Sequence, residues 1–92
     1  MLGEKLKELR ESNGLLQRQV ATFLDVDTAY ISKMESNCKP VSRNQLNKLA
    51  IIYKASENKL VPFWIAERIL KVLNKEASDR DALLLVLESL NK

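Results

Sequence analysis

Two short segments, each with an apolar face of helical spacing, stand only three residues apart in the first half of the chain. Val20, Ala21 and Leu24 form the first face, and Ile31 and Met34, at i and i+3, form the second; Asp25-Val26-Asp27 lies between the segments. Helices joined this closely must pack on each other. Ala21 is small where they cross, and Val20, Leu24, Val26, Ile31 and Met34 supply a shared core. Asp27 suits the N-cap of the second helix, because its carboxylate can accept from an amide of the first turn. With Ile31 and Met34 turned inward, Thr28, Ala29, Ser32 and Lys33 fall on the outer side.

The flanking sequence extends the same pattern. Leu2, Leu6 and Leu9 recur at i, i+4 and i+7 among charged residues, which predicts an amphipathic helix over 2–13 closed by a left-handed cap at Asn13-Gly14. Ser36 to Val41, with Asn37 and Pro40, reads as a loop. Ser42 caps a fourth helix with Leu46, Leu49, Ala50 and Tyr53 on its inner face. From Ser56 the run to Leu73 is apolar around most of the helix circumference, so it must be covered on two sides. Pro62 either starts a new helix at its first turn or bends a longer one. A last helix is expected from Ser78, with Asp81 completing a capping box, through the apolar run Leu83 to Leu87 and on to Leu90. Only two Gly and two Pro interrupt the 92 residues, so the predicted fold class is all-α.

Charge separates the two halves. Residues 1–54 hold nine Lys or Arg against six acids, whereas residues 55–92 hold six of each. The whole excess of +3 therefore lies in the first half, as expected of a part that faces a polyanion. A small excess of this kind also occurs on inert domains. The stretch QRQVATFLDVDTAYISKME, Gln17 to Glu35, has helix-turn-helix spacing, with a plain αα-hairpin bearing a solvated face as the alternative. The outer residues favour the first: Thr and Ala can touch a thymine methyl, Ser can donate or accept, and Lys reaches the guanine O6/N7 edge in the major groove.

Residues 2 to about 60 resemble the Xre, or lambda-repressor-like, helix-turn-helix family. The resemblance rests on LGEKLKELRESNGLLQRQVA, on VDTAYISKME and on the later LNKLA. It implies a five-helix DNA-binding domain over 1–60, with the third helix, about 28–35, in the major groove. By position it makes Thr28, Ala29, Ser32 and Lys33 base-reading residues and Gln17, Asn37, Lys39 and Arg43 phosphate contacts. It also implies a partly buried structural ion pair between Arg10 and Glu35. Three positions depart from the family pattern: Leu16 stands where Thr or Ser usually caps the second helix, Asp25 where Gly usually turns the chain, and Asp27 adds negative charge beside the DNA.

One such module covers too few base pairs to be selective, so a homodimer on a palindromic operator is expected. Residues 61–92 then form a helical extension of one or two helices for dimerisation. Trp64, Ile65, Ile69, Leu73, Leu84, Leu87 and Leu90 are shared between core and interface, or else only close the core of a six-helix monomer. The expected function is a sequence-specific transcriptional regulator acting as a repressor, similar in size to restriction-modification controller proteins. The alternative is an antitoxin or other interaction module of the same fold, holding a protein partner on the apolar C-terminal helices.

Catalysis is not expected. No His and a single Cys, Cys38, leave no imidazole base, internal disulfide or thiolate cluster, so neither cofactor nor metal is anticipated. Glu67-Arg68 and Asp79-Arg80-Asp81 read as a solvated helix face and a helix start. No apolar run approaches the ~20 residues of a membrane span, and Glu4, Lys5 and Lys7 stand where a signal peptide would be apolar. A cytoplasmic chain is the expectation.

Overall fold

Polar caps and left-handed turns mark several of the helix boundaries. A computed structural model describes residues 1–92 as α1 (Leu2–Ser12), α2 (Gln17–Leu24), α3 (Thr28–Glu35), α4 (Arg43–Ile52), α5 (Glu57–Val72) and α6 (Ser78–Leu90), with no strand. The fold is all-α. Gly14, at φ 67°, carries the left-handed turn after α1. Leu16 precedes α2 without a capping side chain of its own; the Gln19 carboxamide oxygen instead accepts from the Leu16 amide at 2.8 Å. Asp25 takes the left-handed conformation (φ 57°, ψ 48°) that the family pattern gives to glycine. Asp is among the few residues that tolerate it.

Asp27 caps α3 as expected, its Oδ1 accepting from the Tyr30 amide at 2.7 Å. Replacing Asp27 by Ala should therefore lower unfolding free energy by about 1 kcal/mol. Urea unfolding followed by helical circular dichroism measures this, and an unchanged midpoint would show the cap to be idle. Ser42 and Gln45 close a reciprocal box at α4, with bonds of 3.1 and 3.0 Å. At α6 the expected device is displaced by two residues. Asp79 Oδ2 accepts from the Glu76 amide at 3.1 Å, and Ser78 lies inside the helix after Ala77, which is already in right-handed helical geometry.

The core is built from Leu2, Leu6, Val20, Ala21, Leu24, Ile31, Met34, Val41, Leu46, Leu49, Ala50, Tyr53 and Leu60. All six inner positions expected of α3 and α4 are buried. Packing of α1, α2 and α4 around α3 and the first half of α5 makes one unit. Gly3 permits the tightest approach within it: a Cβ there would press on the Glu35 carbonyl oxygen and lie 2.7 Å from Asn37 Oδ1. Its amide donates to that same Oδ1 at 2.7 Å.

Beyond Leu60 no residue is fully buried. Pro62 lies within α5, which continues across it, so the proline starts no new helix. The expectation that α5 is covered on two sides is met on one only. Val61 and Trp64 pack on the core, while Ile65, Ile69, Leu70 and Val72 are exposed. α6 makes no extensive contact with any other helix, and Leu83 through Leu87 are all open to solvent. A compact monomer of this mass exposes about 5,400 Å²; this chain exposes 6454 Å². Its radius of gyration, 14.9 Å, likewise exceeds the ~12 Å of a compact chain this long. The surplus belongs to the projecting C-terminal arm.

Candidate nucleic-acid interface

α3 divides cleanly between core and solvent. Ile31, Met34 and Glu35 are buried, and Thr28, Ala29, Ser32 and Lys33 are all exposed. The four residues expected to read bases thus share one open side of a helix whose position is fixed from behind. Arg10 and Glu35 do the fixing. The guanidinium of α1 meets the α3 carboxylate through two bonds, Nε to Oε2 at 2.7 Å and Nη2 to Oε1 at 3.1 Å, and donates a third to the Leu15 carbonyl at 2.9 Å. Both side chains are nearly inaccessible, 11% and 5% exposed. The hydrogen bonds to Glu35 hold the arginine in its charged form beyond its ordinary range.

The four expected phosphate contacts are placed differently from one another. Gln17, at the first position of α2, donates to Glu35 Oε1 at 3.0 Å, and with Lys7, Ser32, Glu35 and Ser36 it lines a polar recess of about 180 Å³. Asn37 has φ 63° and ties the loop after α3 to α1, accepting from Gly3 and donating to Glu4. Lys39 lies 5.3 Å from the centre of the Tyr30 ring and forms no ion pair. Arg43 is half exposed and paired to Glu57 at 2.9 Å. Of these four, Lys39 alone presents a positive charge without a carboxylate beside it.

Two carboxylates are pulled below their ordinary range, exposed Glu4 by the hydrogen bond from Asn37 and half-buried Glu57 by those from Asn47 and Arg43. Because the folded-state pKa is the lower one, their contribution is complete above the ordinary carboxylate range and disappears as pH falls through the folded value. Burial pushes the Tyr53 phenol well above its usual range, keeping it neutral under the core.

A family model described as Helix-turn-helix domain matches residues 1–63, more than two-thirds of the chain. The chain belongs to this helix-turn-helix family. No curated protein and no solved structure matched it. The matched helix-turn-helix region comprises α1 to α4 and the first half of α5, so α6 lies outside it. Membership marks the chain as a DNA-binding regulator of a family that is typically non-enzymatic. No helix is long and apolar enough to cross a membrane.

Several contacts around the helix-turn-helix unit were invisible to pattern reading. Glu67, expected to be solvated, is only 15% exposed; it accepts from the Leu2 amide at 3.4 Å and pairs with the terminal amine at 3.1 Å. Trp64 donates from Nε1 to the Val41 carbonyl at 2.5 Å, which seats its ring on the core rather than in solvent. Lys71 donates to the Asn37 carbonyl at 3.2 Å. Each joins positions more than twenty residues apart, and only the i+3 and i+4 spacing of Trp64, Glu67, Arg68 and Lys71 hints that they share a face.

Proposed function

We propose that the protein is a transcriptional repressor of the Xre, lambda-repressor-like subtype that reads a palindromic operator as a cytoplasmic homodimer. The carrying observation is the free outer side of α3, where Thr28, Ala29, Ser32 and Lys33 are exposed together while the opposite side is held by the Arg10–Glu35 pair. A helix so presented enters a major groove with its first turns against the base edges. Gln17, Asn37, Lys39 and Arg43 flank it as phosphate contacts. Arg43 then shares its charge with Glu57, so Lys39 provides the larger part of the salt dependence.

Residues 1–60 form the DNA-binding domain in this reading and 61–92 the dimerisation element. The support for a second copy is surface area. The chain exposes about 1,000 Å² more than a compact monomer, and a specific interface buries about 800 Å² per partner. Ile65, Ile69, Leu84, Leu87 and Leu90 are exposed on that surplus surface, and Leu73 is half-buried. Trp64 contributes at the edge, since its indole N–H is already engaged by Val41.

Selection of bound duplexes from a random pool, at a fixed salt concentration, tests the reading. A palindrome with half-sites about one helical turn, ~34 Å, apart is the expected result. Absence of any enriched sequence, with folded protein, would overturn it in favour of a protein-interaction module carrying its partner on α6. Lys33→Ala should alter the selected base at one position and cost about 1–3 kcal/mol there. Lys39→Ala should weaken all sequences alike and lower the salt slope by about one.

A further inference from the structure

We infer that the groove between the second half of α5 and the loop joining α3 to α4 is a binding site for a small organic anion with a compact apolar body. The groove encloses about 260 Å³, just below the ~300–1,000 Å³ of sites for drug-sized ligands. Leu2, Met34 and Val41 form its apolar floor, all three belonging to the core. Trp64, Glu67, Arg68 and Lys71 line it from one face of α5, and Lys39 faces them from the loop.

The groove is bordered by more positive than negative charge. Lys39, Arg68 and Lys71 border it and none forms an ion pair. Arg68 lies 4.8 Å from the centre of the Trp64 ring, Lys39 sits over Tyr30, and Lys71 reaches only the Asn37 carbonyl. The sole carboxylate of the groove, Glu67, is turned to the Leu2 amide and the terminal amine, so it leaves the three cations unneutralised. An apolar floor beside three unpaired cations suits a ligand with one anionic group and an apolar remainder. Its carboxylate or phosphate would accept from Arg68 and Lys71 while its body covers Leu2, Met34 and Val41.

Trp64 is the only tryptophan, so its fluorescence reports the site directly, in the absence of DNA. The probes are phenylacetate, its neutral isostere phenylacetamide, and acetate, at constant ionic strength. Phenylacetate should give a saturable change with a dissociation constant of about 1 mM or lower, as its size allows. Phenylacetamide and acetate should each bind at least about tenfold more weakly, since one lacks the charge and the other the apolar body. The double variant Arg68→Gln/Lys71→Gln should lose about tenfold for phenylacetate, with the comparison made on protein of unchanged helical circular dichroism. Equal binding of amide and carboxylate, equal binding of acetate, an unaffected double variant, or no saturable response to phenylacetate would each overturn the assignment. The probe comparison on the unaltered protein decides the matter even if the double variant does not fold.

Discussion

Replacing Glu35 by Ala is expected to lower unfolding free energy by about 3–5 kcal/mol. Total stability of a chain this size is of order 5–14 kcal/mol, so the variant would lose a large share of it. The magnitude follows from what is left behind. Glu35 takes two hydrogen bonds from Arg10 and one from Gln17, and its removal strands a guanidinium that is 11% exposed. The remaining bond to the Leu15 carbonyl cannot neutralise that charge. The double substitution Arg10→Met/Glu35→Leu should recover most of the loss, because a buried pair exchanged for apolar side chains of similar volume is often neutral. Urea midpoints of the two variants separate the possibilities. A loss below about 1 kcal/mol for Glu35→Ala would place the pair with ordinary surface bridges.

The second large effect concerns α6. Leu84→Asp/Leu87→Asp places two charges one helical turn apart on a surface that is 56% and 53% exposed in the single chain. Since neither residue supports the core, the helix-turn-helix unit should keep its unfolding midpoint. What should change is the proposed assembly: on the dimeric reading, sedimentation at micromolar concentration shifts from dimer to monomer, and affinity for the selected operator falls at least about 100-fold as the second α3 is lost. A variant that remains dimeric and binds its operator unchanged would remove α6 from the interface. One that unfolds would instead make these leucines part of a core, contrary to their exposure.

Most of the first sixty residues were legible because their periodicity and their caps agree. Leu2 and Leu6, the pair Ile31 and Met34, and the Asp27 and Ser42 caps are all local signals, and local signals survive into the structure when the core that receives them is close in sequence. The start of α6 was misread for the same reason in reverse. Ser78 with Asp81 and Glu76 with Asp79 offer similar spacings, and no packed neighbour favours one over the other. The breadth of the apolar surface on α5 was legible, but not the means of covering it. The exposed side of α3, with Thr28, Ala29, Ser32 and Lys33, follows from the inward turn of Ile31 and Met34. The contacts of Asn37, Glu67 and Trp64 depend on how α1 and α5 meet the loop after α3, which no spacing encodes.

The position of α3 also depends on an atom that is absent. Gly3 lets α1 rest directly on the carbonyl at the end of α3, with no side chain between them. Almost any other residue would act as a wedge, lifting the C-terminal end of α3 and rotating Ser32 and Lys33 relative to Gln17. The orientation of the exposed side of α3 is thereby governed by its packing against α1, at a residue that carries no charge and offers no side chain. Sequence drift at position 3 would change how the α3 surface is aimed while leaving every exposed residue on it the same.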